Sequence, residues 1–312
     1  MTPRKPPRAV VLLGAQRFEP TLGAAVAEIG AEAPIATITA GWQERETEDQ
    51  ELDAHLGGHT VNLRIWERAE RVFRADRELH HAHRQRQEML RLRQDFYRVR
   101  IEHELSASQV IQNRKAPPEV LEVERDTTLR AMRDLDEWHI AECARIRDDF
   151  EAAYRPLARD AVAKERREIE AILRDARTIA IAGGHVAALL NRMQLFGVET
   201  LIDGHALLGW SAGAMVLAER LVVFHDSPPQ GPGAAEVLDR GLGILPGVVA
   251  LPDPETRLLL EDRARMSFMA RRFAPSLCMA LPAGARVTRG DGLWQGAHGI
   301  LVLRPDGTHG SL

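Results

Sequence analysis

The sequence predicts an α/β protein: a three-layer sandwich around a mostly parallel sheet, interrupted by a long α-helical hairpin. Two observations carry this. Both ends of the chain alternate short apolar runs, each closed by glycine, with amphipathic stretches, which is the punctuation of strand–helix–strand units. The middle is instead rich in Arg, Glu, Gln and His and keeps an apolar repeat of three to four residues. Residues 1–63 and 177–312 are therefore assigned to the α/β domain and 64–176 to an inserted helical unit.

At the start, Ala9 to Leu13 is a buried strand running into Gly14, and Ile35 to Thr39 is a second, ending at Ala40-Gly41. Leu22 to Ile29 is the crossover helix that two parallel neighbours require. From about Arg64 to Asn113 neither Gly nor Pro occurs, and Trp66, Val72, Phe73, Leu79, Met89, Leu90, Phe96, Ile101 and Leu105 recur at helical spacing; one long helix is expected. Pro117-Pro118 ends it. A second helix follows through Leu129, Met132, Leu135, Ile140, Cys143, Ile146 and Phe150, is interrupted at Pro156, and resumes through Val162, Ile169, Ile172 and Leu173. The apolar stripe of such a hairpin needs cover, from its own two arms or from a second subunit, so a homodimer through the insertion is a candidate arrangement. Regular α/β punctuation returns with a strand at Thr178 to Ala182, a helix from Val186 to Phe196 and a short strand at Ala206 to Leu208. Leu221–Phe224, Val248–Leu251, Cys278–Leu281 and Ile300–Leu303 read as further strands of the same domain.

Composition narrows the partners. A net charge of −4 over 312 residues gives no basic field for nucleic acid or acidic membranes, and a peptide or small-molecule substrate is the default expectation. Acidic residues interleave the arginines of the central helices, which marks a solvated face. Cys143 and Cys278 are too few for a disulfide framework and lack metal-ligand spacing, which fits a reducing cytoplasm. The basic, proline-rich N-terminus lacks a signal-peptide core, and no apolar run is long enough to span a bilayer; a cytoplasmic, unexported protein is expected. His80 and His83 stand at i, i+3 beside His81, but no third ligand is near, so neither a metal nor another cofactor is expected.

Chemistry concentrates at Gly209-Trp210-Ser211-Ala212-Gly213-Ala214, which follows a strand and precedes the helical stretch Met215 to Glu219. That is the context of a G-x-S-x-G elbow, in which small neighbours let the chain turn sharply and raise a serine hydroxyl at a helix N-terminus. The same residues also suit a tight strand-to-helix turn without chemistry.

This block resembles the nucleophile motif of the cyanophycinase and dipeptidase E family of serine peptidases. Gly183-Gly184 before a helix, and Gly241-Leu242-Gly243-Ile244-Leu245-Pro246-Gly247 with the strand after it, resemble further motifs of that family. The resemblance covers 178 to about 290 well, the first strands loosely and the insertion not at all. It implies a class I glutamine amidotransferase-like fold and an acyl-transfer hydrolase in which Ser211 attacks a peptide or isopeptide carbonyl. The oxyanion would then be held by the amides of Gly184 and Ala212. The family's acid corresponds to Asp226, which reads equally as a turn acid before Pro228-Pro229.

The departure is at the base. Where the family places histidine, this chain reads Leu251-Pro252-Asp253-Pro254. A carboxylate of ordinary pKa, about 4, accepts a serine proton poorly. His225, His185 and His205 are the candidate substitutes. Adjacent strand residues face opposite ways, so His225 and Asp226 both reach Ser211 only across a bend. Trp42 and Arg45, in the loop after the second strand, are candidate substrate contacts at a strand carboxyl end, as are His185 beside the Gly-Gly pair and the loop Pro228 to Gly233. Two functions follow: a serine peptidase-like hydrolase, or a catalytically impaired relative acting as a binding or assembly protein. A glutaminase ranks last, because no cysteine stands in an elbow.

Overall fold

The computed structural model describes residues 6–226 and 235–312. The loop Pro228 to Gly233 lies outside them. The larger sheet takes β1 (Ala9–Leu13), β2 (Ile35–Ile38), β3 (Thr60–Asn62), β4 (Thr178–Ile181) and β5 (Ala206–Trp210), ordered β1-β5-β4-β2-β3 and all parallel. Two antiparallel strands, β10 (Arg286–Gly290) and β11 (Leu293–His298), extend it beyond β1. The result is a mixed α/β protein with a large, mostly parallel sheet.

Alternation along β1 divides the packing. Val10 and Leu12 join a core with Ile179, Ile181 and Leu207, against α3 (Ile65–Ala75), α6 (Asp160–Asp175) and α7 (Val186–Leu195). Val11 and Leu13 join the opposite core with Leu208 and Trp210, against α1 (Leu22–Glu28) and α2 (Gln50–His55). Both faces of the sheet are covered, and so its strands read as continuous apolar runs.

The four later strands expected from the sequence do not extend that sheet. A separate four-stranded sheet is built from β8 (Val248–Pro252), β9 (Leu277–Leu281), β12 (Leu301–Leu303) and β13 (His309–Gly310), and β6 (Arg220–Val223) pairs antiparallel with β7 (Glu236–Arg240). Those four runs are apolar enough to be strands, but nothing local encodes which sheet a strand joins.

The single helix expected over 64–113 is two. Asp76 has extended backbone and its carboxylate caps Leu79 N at 2.9 Å, so α3 stops and α4 (Arg77–Gln112) begins anew. Arg159, just before α6, holds the same carboxylate. An aspartate N-cap without Gly or Pro is a weak signal in a charge-dense sequence. α5 (Pro118–Tyr154) then runs back along α4, with Arg155 in left-handed conformation ending it before Pro156. The expected apolar stripe is divided: Val72, Phe73 and Leu79 enter the first core, whereas Ile101, Met132 and Ile140 enter a second core with Val249, Leu251, Val222 and Val237. α10 (Arg263–Phe273) closes that second core through Met266, Met269 and Phe273.

One buried polar knot fastens α4, α5, β7 and α10 together. Arg272 forks onto Asp136 at 2.7 and 2.8 Å, both side chains 1% exposed, and Tyr97 Oη donates to Asp136 at 2.7 Å while accepting from Arg272 and from Val237 N. Removing one member of a buried pair leaves the other charge without compensation, at a cost of about 3–5 kcal/mol. Asp136→Ala is therefore expected to lower thermal stability sharply, and Tyr97→Phe by about 1–3 kcal/mol, the cost of losing hydrogen bonds alone. Denaturant titrations of the two variants should rank in that order.

Candidate active site

β5 delivers Trp210, itself buried, to a turn in which Ser211 adopts φ 51° and ψ −121° before α8 (Ala212–Leu217) begins. A non-glycine residue there is strained by about 1–3 kcal/mol and persists only when its surroundings over-determine it. The surroundings are backbone. A Cβ on Gly213 would collide with the Ile181 carbonyl, one on Gly209 would lie 2.7 Å from the Gly213 carbonyl oxygen, and one on Gly183 would lie 2.8 Å from Ser211 Cβ. β4, β5 and α8 thus meet at distances that no side chain permits.

β2 completes the convergence. Ala182 N donates to the Ile38 carbonyl at 2.8 Å, His185 N donates to the Gly41 carbonyl at 2.8 Å, and Gly184 takes φ 114° because its α-carbon lies against Gly41. The site occupies the carboxyl edge of three adjacent parallel strands, where open α/β sheets bind ligands. Ala212 opens α8, and first-turn amides lack partners within their own helix. Gln43, in the 3-10 turn Ala40–Arg45, has φ 58° and ψ −124°, nearly the conformation of Ser211. Nothing in its sequence context announces that. The turn is held from below by the buried carboxylate of Glu46, which accepts from Trp66 N and Glu67 N at the start of α3. Burial raises its pKa against the lowering effect of those amides. Trp42 packs half-buried in the core beneath α1 and α2, and the exposed guanidinium of Arg45 is paired with Glu48 at 2.6 Å, so neither side chain is committed to the cleft.

The acid and base candidates divide. Asp253, at the exit of β8, is left-handed (φ 57°, ψ 47°), starts α9 (Pro254–Arg257), accepts from Thr256 Oγ1 at 2.6 Å and lies 3.5 Å from Arg257 Nε. Its amide donates to the Leu281 carbonyl, and the neighbouring Pro282 carbonyl packs on Gly14 at the exit of β1, which pairs with β5. Asp253 therefore shares the strand-exit edge with Ser211. Asp226 is 3% exposed at the side chain, with one oxygen accepting from Leu259 N and the other from Arg265. Its two oxygens thus fasten the β6 exit to Leu259 and to the first turn of α10. His225 is half-buried beside it, with no partner on Nδ1 among the described residues. His185 Nδ1 accepts from Ala188 N at 3.2 Å, so the neutral ring carries its proton on Nε2 and offers a donor, not a base. His205 lies at the opposite end of β5, with Nε2 donating to the Leu173 carbonyl, and is removed from the candidates. Among the described residues Ser211 forms no hydrogen bond to an imidazole or carboxylate.

Beside the elbow lies an open groove of about 820 Å³ bordered by Gln43, His185, Trp66, His80 and Arg192. The histidines there are packing elements. His80 stacks on Phe73 at 5.0 Å, and His83, 4% exposed, donates from Nε2 to Asn191 Oδ1 at 2.8 Å with Phe73 and Phe150 around it. His83 so fastens α4 to α7. Burial pushes its pKa down to about 3, with Arg86 and Arg192 adding to the shift. The unfolded chain then binds a proton that the native state refuses, so stability is full above the ordinary histidine pKa and falls as pH drops below it. Between pH 7 and pH 5 His83 is expected to remove about 2 kcal/mol. Urea titrations at the two pH values should show that loss in the parent and a smaller one in His83→Gln.

Comparison with known proteins follows the same residues. No curated protein matches the chain. Among solved structures, a peptidase from an acI-B1 Actinobacterium is similar at 13% identity and TM-score 0.48, over 99% of this chain and 94% of that one. A family model matches residues 137–253, which include Gly183-Gly184, Ser211, Asp226 and Asp253. Across that segment the chain is similar to Peptidase family S51, the family of cyanophycinase and dipeptidase E.

Proposed function

We propose that the protein is a serine peptidase-type hydrolase in which Ser211 attacks a peptide or isopeptide carbonyl, on a class I glutamine amidotransferase-like sandwich. The observation that carries this is the strained backbone of Ser211 at a strand-to-helix turn, walled by Gly183 and opening α8. A merely structural turn gains nothing from φ 51° at a serine, whereas a nucleophile gains exposure above the sheet. The tetrahedral oxyanion would lie between the amides of Ala212 and Gly184, each donor of this kind contributing about 3–4 kcal/mol to the transition state.

Proton transfer is where the second reading, an impaired relative that binds or assembles, draws support. Asp253 stands at the base position of the family's pattern with its carboxylate already accepting from Thr256 and close to Arg257. A side chain engaged by those partners is turned to its own helix, and a carboxylate is in general a poor acceptor for a hydroxyl proton. Loss of the base in a serine triad costs on the order of 10⁴ to 10⁶ in turnover. His225 at the β6 exit is the remaining imidazole at this corner, because Asp226 N donates to Arg257 of α9.

A fluorophosphonate probe is expected to label Ser211 and to leave Ser211→Ala blank; absence of labelling from pH 6 to about pH 9 would transfer the assignment to the binding reading. Asp253→His suits the left-handed backbone, which histidine tolerates, and is expected to raise peptide hydrolysis by at least about 10²-fold over the parent. Unchanged turnover in a parent that already labels, lost on His225→Ala, would place the base at His225.

A further inference from the structure

We infer that α4 is the seam of a parallel homodimer, its partner helix being α4 of a second copy of this chain. Met89, Leu92, Phe96 and Val99 lie at i, i+3, i+7 and i+10, and Val110 returns to the register two heptads beyond Phe96, after polar His103 and Ser106 at the intervening positions. This is the 3.5-residue repeat of a two-stranded coiled coil. All five are exposed, Phe96 at 63%, Val110 at 58% and Val99 at 53%. Single exposed apolar residues are ordinary on monomers, but a heptad stripe on one face of one helix is not.

The chain itself covers the other faces of α4. Gln94, Tyr97, Ile101 and Ser108 are buried against the second core and β7, and Arg93 and Arg100 lie towards α5, over the Trp138 ring at 6.0 and 4.6 Å. Only the Met89–Val99 face is left without cover. The knot of Asp136, Arg272 and Tyr97 holds α4 in place, so closing the seam costs the entropy of association and of the side chains that meet, but no ordering of the helix backbone.

Charge selects the partner and its direction. With Met89 and Phe96 as first positions of their heptads, the residues flanking the seam on one side are Glu88, Asp95 and Glu102, and on the other Arg93 and Arg100; within the chain Glu88 and Asp95 pair with Arg91 and Arg93 with Glu142, so those contacts exchange when the seam closes. In a parallel pair each acidic position meets the basic position five residues further along the partner helix: Glu88 meets Arg93 and Asp95 meets Arg100, twice by symmetry. An antiparallel pair would set acid against acid. A second copy therefore matches this face in both apolar register and charge. The seam from Met89 to Val110 is about 32 Å long, and with the flanking charges and Trp138 it approaches the roughly 800 Å² per partner of a standard interface.

The test uses the full chain. Sedimentation velocity from about 1 to about 200 µM should show conversion from 34.7 kDa to twice that mass, with Phe96→Glu remaining monomeric at unchanged circular dichroism. Leu92→Cys should cross-link on mild oxidation, because equivalent positions face each other only in the parallel seam, and Cys143 and Cys278 are buried. A single monomeric mass throughout, or a dimer indifferent to both Phe96→Glu and Val99→Glu, overturns the proposal. A dimer that Phe96→Glu dissolves but whose Leu92→Cys form does not cross-link overturns the parallel arrangement. Ser211→Ala should dimerise as the parent does, so the outcome is independent of the hydrolase assignment.

Discussion

Everything at the candidate site depends on backbone approaching backbone at the exits of β2, β4 and β5. Glycine at 41, 183, 184, 209 and 213 is a steric requirement, since a Cβ at each would lie within 3 Å of a neighbouring carbonyl or of Ser211. The closeness has an energetic consequence. Strain at a serine with φ 51° is sustained because the three strands, each buried in the larger core, cannot separate to relax it. Among the described residues the hydroxyl is placed by the sheet and not by a hydrogen bond of its own, and a turn built this way is rigid before any ligand arrives.

The second core does for the inserted helices what the sheet does for the elbow. A 36-residue helix and a 37-residue helix projecting from a small domain would be mobile levers if only their mutual stripe held them. Here Tyr97, Ile101, Met132 and Ile140 are packed on β6, β7, β8 and α10, and the Asp136–Arg272 pair lies inside that packing. A buried ion pair is weak evidence for net stability but a strong constraint on register, because any slip of α4 or α5 would strand a charge in an apolar interior. The faces of α4 that remain outside are consequently fixed in orientation.

Local chemistry was legible in the sequence and long-range pairing was not. β1, β2, β4, α7 and the serine turn follow from apolar runs closed by glycine, and the structure places them within a residue or two of their expected bounds. Asp76 as a helix break was hidden, because one more carboxylate among many carries its meaning only through Leu79 N and Arg159. β3, β7, β10, β11 and β13 were missed: β3, β10 and β11 are edge or next-to-edge strands with little continuous apolar character, in β7 charges flank Val237 and Leu238, and β13 is two residues long. The second sheet could not be foreseen, since strand membership is decided by partners far away in sequence. At the site, the elbow and the Gly-Gly turn were readable as motifs. The commitment of Asp226 to Leu259 and Arg265, and the proton placement on His185, were not, because each depends on a contact absent from the local sequence.

Position 253 connects these threads. Its left-handed backbone, squeezed between the β8 exit and Pro254, excludes β-branched and most bulky side chains but admits aspartate, asparagine and histidine. The backbone therefore retains a histidine-compatible geometry while the side chain is a carboxylate. That carboxylate accepts from Thr256 Oγ1 and lies 3.5 Å from Arg257 Nε, so the side chain at the position of the expected base is engaged within its own turn.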